Sequence, residues 1–170
     1  VAAKHSKLSA TTSTDRVVRR AGLRDLDSLA ALWAELTEHH REIDPIFAIR
    51  PGADLEIRHL VDVMLRDPDG AVFVGESAPG RVVGFCAVRI DRAPPILVEI
   101  ERAEITDLVV RADERRSGLG RRLFECASAW VRDQGLDRCE VRVATGNAEG
   151  QAFWRAMGFG DLMDVLQRAL

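Results

Sequence analysis

The sequence predicts a single α/β (α+β) domain: a mixed, mostly antiparallel sheet of six to seven strands with helices on both faces. Three observations carry that expectation. Apolar residues recur at helical spacing in four separated stretches, and short β-branched runs bounded by turn signals lie between them. A chain of 170 residues, 46% hydrophobic and 30% charged, suits one ordinary globular core.

"RVVRRAG" reads as a short strand, followed by a helix from near Asp25 with Leu26, Leu29, Trp33 and Leu36 as its apolar stripe. "EHHREIDPIF" interrupts that helix with polar residues and Pro45. A second helix covers Asp54 to Leu65, with Leu60, Val61, Met64 and Leu65 turned inward, and "DPDG" makes a turn. "AVFVGE", the "SAPG" turn and "RVVGFCAVRI" read as an antiparallel hairpin. After "DRAPP", an extended stretch runs from Ile96 to Val110. A third helix spans Gly118 to Gln134, with Leu119, Leu123, Ala127, Trp130 and Val131 in register and Gly135 as its C-terminal cap. "CEVRVAT" is a strand, "NAEGQAFWRAM" a helix, and "GFGDLMDVLQRAL" one or two closing strands. Strands and helices interleave throughout, so the expected division is a flexible tail over 1–15 and one domain over 16–170.

Several function classes lose support at this level. A net charge of −3 offers no global case for nucleic-acid or membrane binding, and no apolar run reaches transmembrane length. Cys86, Cys126 and Cys139 are widely spaced, odd in number and set in apolar segments, which suits core thiols in a reducing cytoplasm. No metal-ligand spacing is present, and the expectation is a cytoplasmic protein without a metal.

Chemistry concentrates in "ITDLVVRADERRSGLGRRLF". An apolar strand ends at Val110, and "RRSGLG" opens the third helix. Gly118 and Gly120 let backbone N–H groups approach a ligand, the helix N-terminus adds partial positive charge, and Arg111, Arg115, Arg116, Arg121 and Arg122 crowd the same place. A pyrophosphate fits such a site. Taken alone, the stretch also fits a solvated arginine-rich helix end. A Walker loop is excluded by the lack of Gly-Lys-Ser/Thr, and a dinucleotide fingerprint by the missing third glycine.

Here the sequence resembles the GCN5-related N-acetyltransferase (GNAT) superfamily. Arg115-Arg116-Ser117-Gly118-Leu119-Gly120 matches the family's Gln/Arg-x-x-Gly-x-Gly/Ala loop. Downstream, Asn147, Ala152, Phe153, Gly158 and Phe159 match its second motif, with the spacing around the alanine shifted. The resemblance runs from about Val17 to the end and implies a splayed central parallel pair of strands. It implies acetyl-CoA as co-substrate: Leu108, Val109 and Val110 pairing with the pantetheine arm, and N–H groups across Arg116 to Arg121, beside Arg115, holding the pyrophosphate. Asn147 then touches the pantetheine or helps splay the strands, although an ordinary helix N-cap is its other reading. Phe153 and Trp154 complete the cofactor wall.

The implied reaction is acetyl transfer to a primary amine by direct attack, assisted by a general base. Glu104 and Asp107 are the strand carboxylates available for that role, on opposite sides if alternation holds, unless a bulge reverses them. By the same resemblance, backbone N–H near Val110 stabilises the oxyanion. Trp154 stands where the family places a tyrosine, and the chain has none. An indole N–H cannot serve as an acid at ordinary pH. A thiolate leaving group, with a thiol pKa near ~8.5, can depart without full protonation. Trp154 is therefore expected to pack beside the pantetheine. The loops "EHHREIDPIF" and "DRAPPILV" border the acceptor mouth by analogy, with His39 and His40 as lining or as surface residues. The acceptor is a small molecule or a peptide, with a homodimer among the assemblies the resemblance allows. The competing reading is a CoA-binding sensor or structural module without catalysis.

Overall fold

The computed structural model describes residues 16–168, so the expected tail over 1–15 lies outside the described residues. Five strands form one sheet in the order β1 (Val17–Arg20), β2 (Gly70–Ala78), β3 (Arg81–Arg92), β4 (Glu101–Val110) and β5 (Cys139–Val141). Neighbours from β1 to β4 are antiparallel, and β4 and β5 are parallel. The helices are α1 (Leu26–Ile43), α2 (Asp54–Arg66), α3 (Leu119–Asp133) and α4 (Ala148–Ala156).

Strand alternation sends side chains to two cores. On one face Cys86, Val88 and Ile105 pack with Leu119, Leu123, Ala127 and Val131 of α3 and Trp154 of α4. On the other, Val74, Phe85, Ala87 and Val109 pack with Leu29 and Leu32 of α1 and Val61 of α2. The helical stripes thus do what their spacing predicts, except that Leu60 of α2 is 39% exposed and Ile57 takes the inward position instead.

The sheet has five strands among the described residues, not six to seven. No strand forms over 159–168, where Leu162, Met163, Val165 and Leu166 are all exposed. Apolar residues at these positions do not alternate, so no pleated face collects them, and the neighbouring edge strand β5 offers only three residues of ladder. Upstream, β4 begins at Glu101 rather than Ile96. Pro94 and Pro95 supply no ladder donors, and Leu97 N–H turns back to the Pro94 carbonyl at 3.1 Å. Helix α1 also outruns its expected end. It carries "EHHREI" through to Ile43 and stops only where Asp44 turns extended before Pro45. His39 and His40 therefore sit on a helix rather than on a loop.

A buried ion cluster joins β1, the start of α1 and β2. Arg19 donates to both oxygens of Asp25, at 2.7 and 2.8 Å, and its Nε donates to Glu76 at 3.0 Å. Asp25 is 4% exposed, and it also accepts from Gly22 N–H at 2.9 Å. The Arg19 guanidinium holds the Asp25 carboxyl below the usual carboxylate range. A depressed folded-state pKa contributes stability that is present above the unfolded value and is lost as pH falls through the folded one. Replacing Asp25 by Ala leaves a buried guanidinium short of its partner, and urea unfolding at pH 7 is expected to show a loss of about 3 kcal/mol. The gap between variant and wild type is expected to close as the pH is lowered into the acid range.

Candidate active site

Parallel pairing between β4 and β5 holds only from Ala103–Cys139 to Ile105–Val141. Beyond that point the strands part, and a cleft of about 750 Å³ opens between them. Its walls are Ile105 to Val110 of β4, Val141 to Val143, one side of α4, the 114–121 loop, and Leu36, His39 and His40 of α1. On its far side β4 stays paired with β3 along its whole length, so the cleft edge of β4 is a strand edge without a protein partner beyond Ile105.

At one end lies the arginine-glycine loop. Arg116 takes φ +60° and Gly118 φ +82°, so the chain makes a left-handed turn into α3. Ser117 Oγ donates to the Glu114 carbonyl at 2.7 Å and pins the turn from below. Backbone N–H groups from Arg116 to Arg121 donate to no acceptor among the described residues, as the first turn of a helix requires. Arg115, Arg116, Ser117, Gly118, Leu119, Gly120 and Arg121 all line the cleft. Arg115 also ties the loop to both flanking walls, donating to the Val110 carbonyl and to Glu149, each at 3.2 Å.

Helix α4 supplies the side wall. Asn147 caps it, its Oδ1 accepting from Gly150 N–H at 2.8 Å, and it lines the cleft as well, so cap and lining residue are one group. Gly150 is what makes that cap fit, since a Cβ there would lie 2.7 Å from Asn147 Nδ2. Trp154 is 7% exposed and packs against Phe124, Phe153 and Phe159 with ring centroids 5.0–5.5 Å apart. It is first a core residue and only at its margin part of the cleft.

The two candidate carboxylates part company. Glu104, 9% exposed, is held by Arg89 at 2.7 Å and Arg142 at 3.4 Å and is not among the lining residues. Asp107 lines the cleft. A β-bulge turns Asp107 to the same face as Glu104, since Ala87 pairs with Asp107 and Arg89 with Glu104 and Thr106 is the extra residue; the two part because Glu104 lies within the β4–β5 ladder and Asp107 beyond it. Asp107 Oδ1 accepts the indole N–H of Trp33 at 3.1 Å. Burial pushes the Asp107 carboxyl up, against the downward pull of Thr106, Trp33, His40 and Arg89. The His40 imidazole is pushed down by burial and by His39, while Asp107 draws it up.

Both histidines thus belong to the cleft, whereas no residue of "DRAPPILV" lines it. Sequence reasoning passed over two groups at this end, Trp33 and Thr106. Trp33 was read as part of a core stripe, and the bulge at Thr106 has no local sequence signal beyond a polar pair inside an apolar strand.

The two glycines of the loop differ in what they require. A Cβ at Gly118 meets open space but must adopt φ +82°, whereas one at Gly120 makes ordinary contacts with Phe153 at 3.5 Å and Leu108 at 3.8 Å. Thermal unfolding is therefore expected to show Gly118→Ala less stable by about 1 kcal/mol. Gly120→Ala is expected to be neutral or slightly stabilised.

The chain matches the acetyltransferase (GNAT) family over residues 27–159. It is 30% identical over 140 residues to an aminoglycoside N(6')-acetyltransferase type 1 from Stenotrophomonas maltophilia, an alignment covering 81% of this chain and 84% of that protein. Its fold is similar to that of a tetramutant of the BH1408 protein from Bacillus halodurans, with TM-score 0.80 at 18% identity, covering 91% of this chain and 99% of that one. An aminoglycoside N-acetyltransferase solved in complex with CoA superposes with TM-score 0.71 at 16% identity, covering 91% of this chain and 94% of that one. With its strand-to-helix glycine loop, its parted parallel strands and this family match, the chain belongs to the GNAT family of acetyltransferases.

Proposed function

We propose that the protein transfers an acetyl group from acetyl-CoA to the primary amine of a small cationic molecule, with Asp107 as general base. One observation carries the reading: the cleft is polarised along its length. Arg115, Arg116, Arg121 and free N–H groups stand by the loop. The other lining charges Glu114, Glu149 and Arg142 are paired with Arg16, Arg115 and Glu104, and the half-buried carboxylate Asp107, with no cationic partner among the described residues, lies farther back along β4. The first end suits a pyrophosphate. The second suits an ammonium group. Between them, the unpaired edge of Leu108, Val109 and Val110 offers backbone donors and acceptors to an extended amide-bearing arm. The three residues from Asp107 to Val110 span about 10 Å. The relative from Stenotrophomonas maltophilia is named for aminoglycosides, and polycationic amines of that class are the acceptors proposed here.

In this reading the amine arrives protonated, rests on Asp107, and gives up a proton to it before its lone pair attacks the thioester carbon. Backbone N–H near Val110 takes the negative charge that gathers on the carbonyl oxygen. Sulfur then leaves as a thiolate, which needs no strong acid at its departure. Glu104 serves the fold instead, locking β3 to β4 through Arg89.

Trp154 favours a second reading, in which the cleft binds CoA without turnover. Free-thiol release from acetyl-CoA with a panel of amines, aminoglycosides included, separates the two. Release with any acceptor supports the enzyme, and tight CoA binding with silence across the panel supports the module.

A raised pKa means that the fold favours the neutral form of Asp107, so its ionised form costs stability at neutral pH. Asp107→Asn is expected to unfold at a higher temperature than wild type at pH 7, with the advantage disappearing below the unfolded carboxylate pKa of about 3.9. The same variant is expected to lose about 10²-fold or more in kcat. Trp154→Tyr is expected to bind acetyl-CoA as wild type does and to turn over at least as fast, with unchanged calorimetric affinity as the check on packing.

A further inference from the structure

A carboxylate facing an open cleft can turn about its side-chain bonds, whereas a base must hold one geometry to meet its amine. Asp107 is held from one direction. Its Oδ1 accepts the indole N–H of Trp33 at 3.1 Å, a bond between residues 74 apart in the chain. Its Oδ2 accepts no hydrogen bond from the described residues and is not sealed from solvent, so it is the oxygen that the cleft offers to an acceptor.

Trp33 comes to this bond from the core. Its ring packs against the cluster that holds Leu29 and Leu32 of α1 and Ala87, the β3 partner of Asp107. The ring also borders a separate apolar hollow of about 170 Å³, with Ile49, Ala53, Ile57 and Leu60. Leu or Phe could meet the packing demand of such a position, but neither carries a donor, and the indole does. We propose that Trp33 is a positioning residue of the transfer reaction: its N–H fixes the Asp107 carboxylate and leaves one oxygen to the acceptor, which selects an ammonium group over a guanidinium. This rests on the reading of Asp107 as the base.

The selectivity follows from the geometry of the two cations. A guanidinium is a planar fork that binds a carboxylate best through both oxygens, whereas an ammonium is a point charge that one oxygen satisfies. With Oδ1 held by the indole, the fork loses one of its two contacts and the ammonium loses none. The same bond bears on proton affinity. Burial is the largest influence and pushes the Asp107 carboxyl up, while Thr106 beside it, Trp33 and His40 of α1, and Arg89 of β3 draw it down. A carboxylate that has lost the indole N–H keeps its proton to a higher pH. Trp33 touches no reacting atom in this scheme and acts on the amine only through Asp107.

The experiment removes the N–H and keeps the ring. Trp33 is replaced site-specifically by benzothienylalanine, which has sulfur in place of the N–H, and Trp33→Phe serves as a second variant. With the amine that releases thiol fastest in the panel, both are expected to keep the wild-type calorimetric affinity for CoA and KM for acetyl-CoA. Their kcat is expected to fall about 10-fold and to stay down on the alkaline plateau, where Asp107 is ionised in every enzyme compared. The acid limb of the pH profile is expected to move to higher pH. In an Asp107→Asn background, the same replacements are expected to change kcat by less than about 2-fold. The guanidino analogue of that amine is expected to inhibit wild type weakly, and to gain about 10-fold relative to the amine in the variants. A wild-type kcat on the plateau, an unmoved acid limb, an equal loss in the Asp107→Asn background, or an unchanged ratio of guanidine to amine affinity overturns the proposal while leaving the acetyltransferase reading intact. Silence of wild type on every amine removes both.

Discussion

Everything in the site depends on a parallel strand pair that stops early. β4 and β5 share hydrogen bonds over Ala103–Ile105 and Cys139–Val141, and then separate. A longer ladder would close the edge of β4 and leave no cleft. The pair can afford to part because β4 is secured on its other side by β3 and tied there by Glu104 and Arg89. Residues after Val141 turn away toward Asn147, which caps α4 and sets that helix across the gap. One interruption in a sheet thus produces a slot with a bare strand edge as one wall and a helix as the other.

The two ends of the slot acquire opposite electrostatic character for unrelated reasons. At the loop, a left-handed turn through Arg116 and Gly118 starts α3 so that its unsatisfied N–H groups and three arginines face inward. At the other end a bulge turns Asp107 to the face that Glu104 occupies but beyond the β5 ladder, whereas Glu104 lies within it, where Arg89 and Arg142 absorb it. The end of the β4–β5 ladder therefore sorts two carboxylates of one face into a cleft group and an ion-pair group. Trp33 belongs to the same arrangement: its ring packs against the α1–α2 core, and its N–H reaches across to fix Asp107.

Trp154 shows how a core demand can occupy a site position. Its ring sits among Phe124, Phe153 and Phe159 beneath the cleft, where the area of an indole fills space between α3 and α4. A donor-only side chain at that place can pack and can shape the wall but cannot supply a proton.

Much of this was legible in the residues. Helical spacing placed α1 to α4, hairpin signals placed β2 and β3, and the arginine-glycine loop with the Asn147–Phe159 stretch pointed to the family. Those features are local: periodicity, turn chemistry and short motifs carry their own physical cause. What misled was apolar content without a partner. Residues 162–166 look like strand material but meet no ladder, and Ile96 to Val98 follow a proline pair that keeps them out of β4. The run "EHHREI" looked like a break because its polarity was plain, whereas the helix needed only one wet face to continue. By itself, the sequence determined the four helices, the β2–β3 hairpin, the family and the glycine turn into α3. The tertiary structure alone decided which carboxylate enters the cleft and that His40 lines it too, because the end of a strand pair, a bulge and a helix end are relations between segments some 60 residues apart, and no local pattern records them.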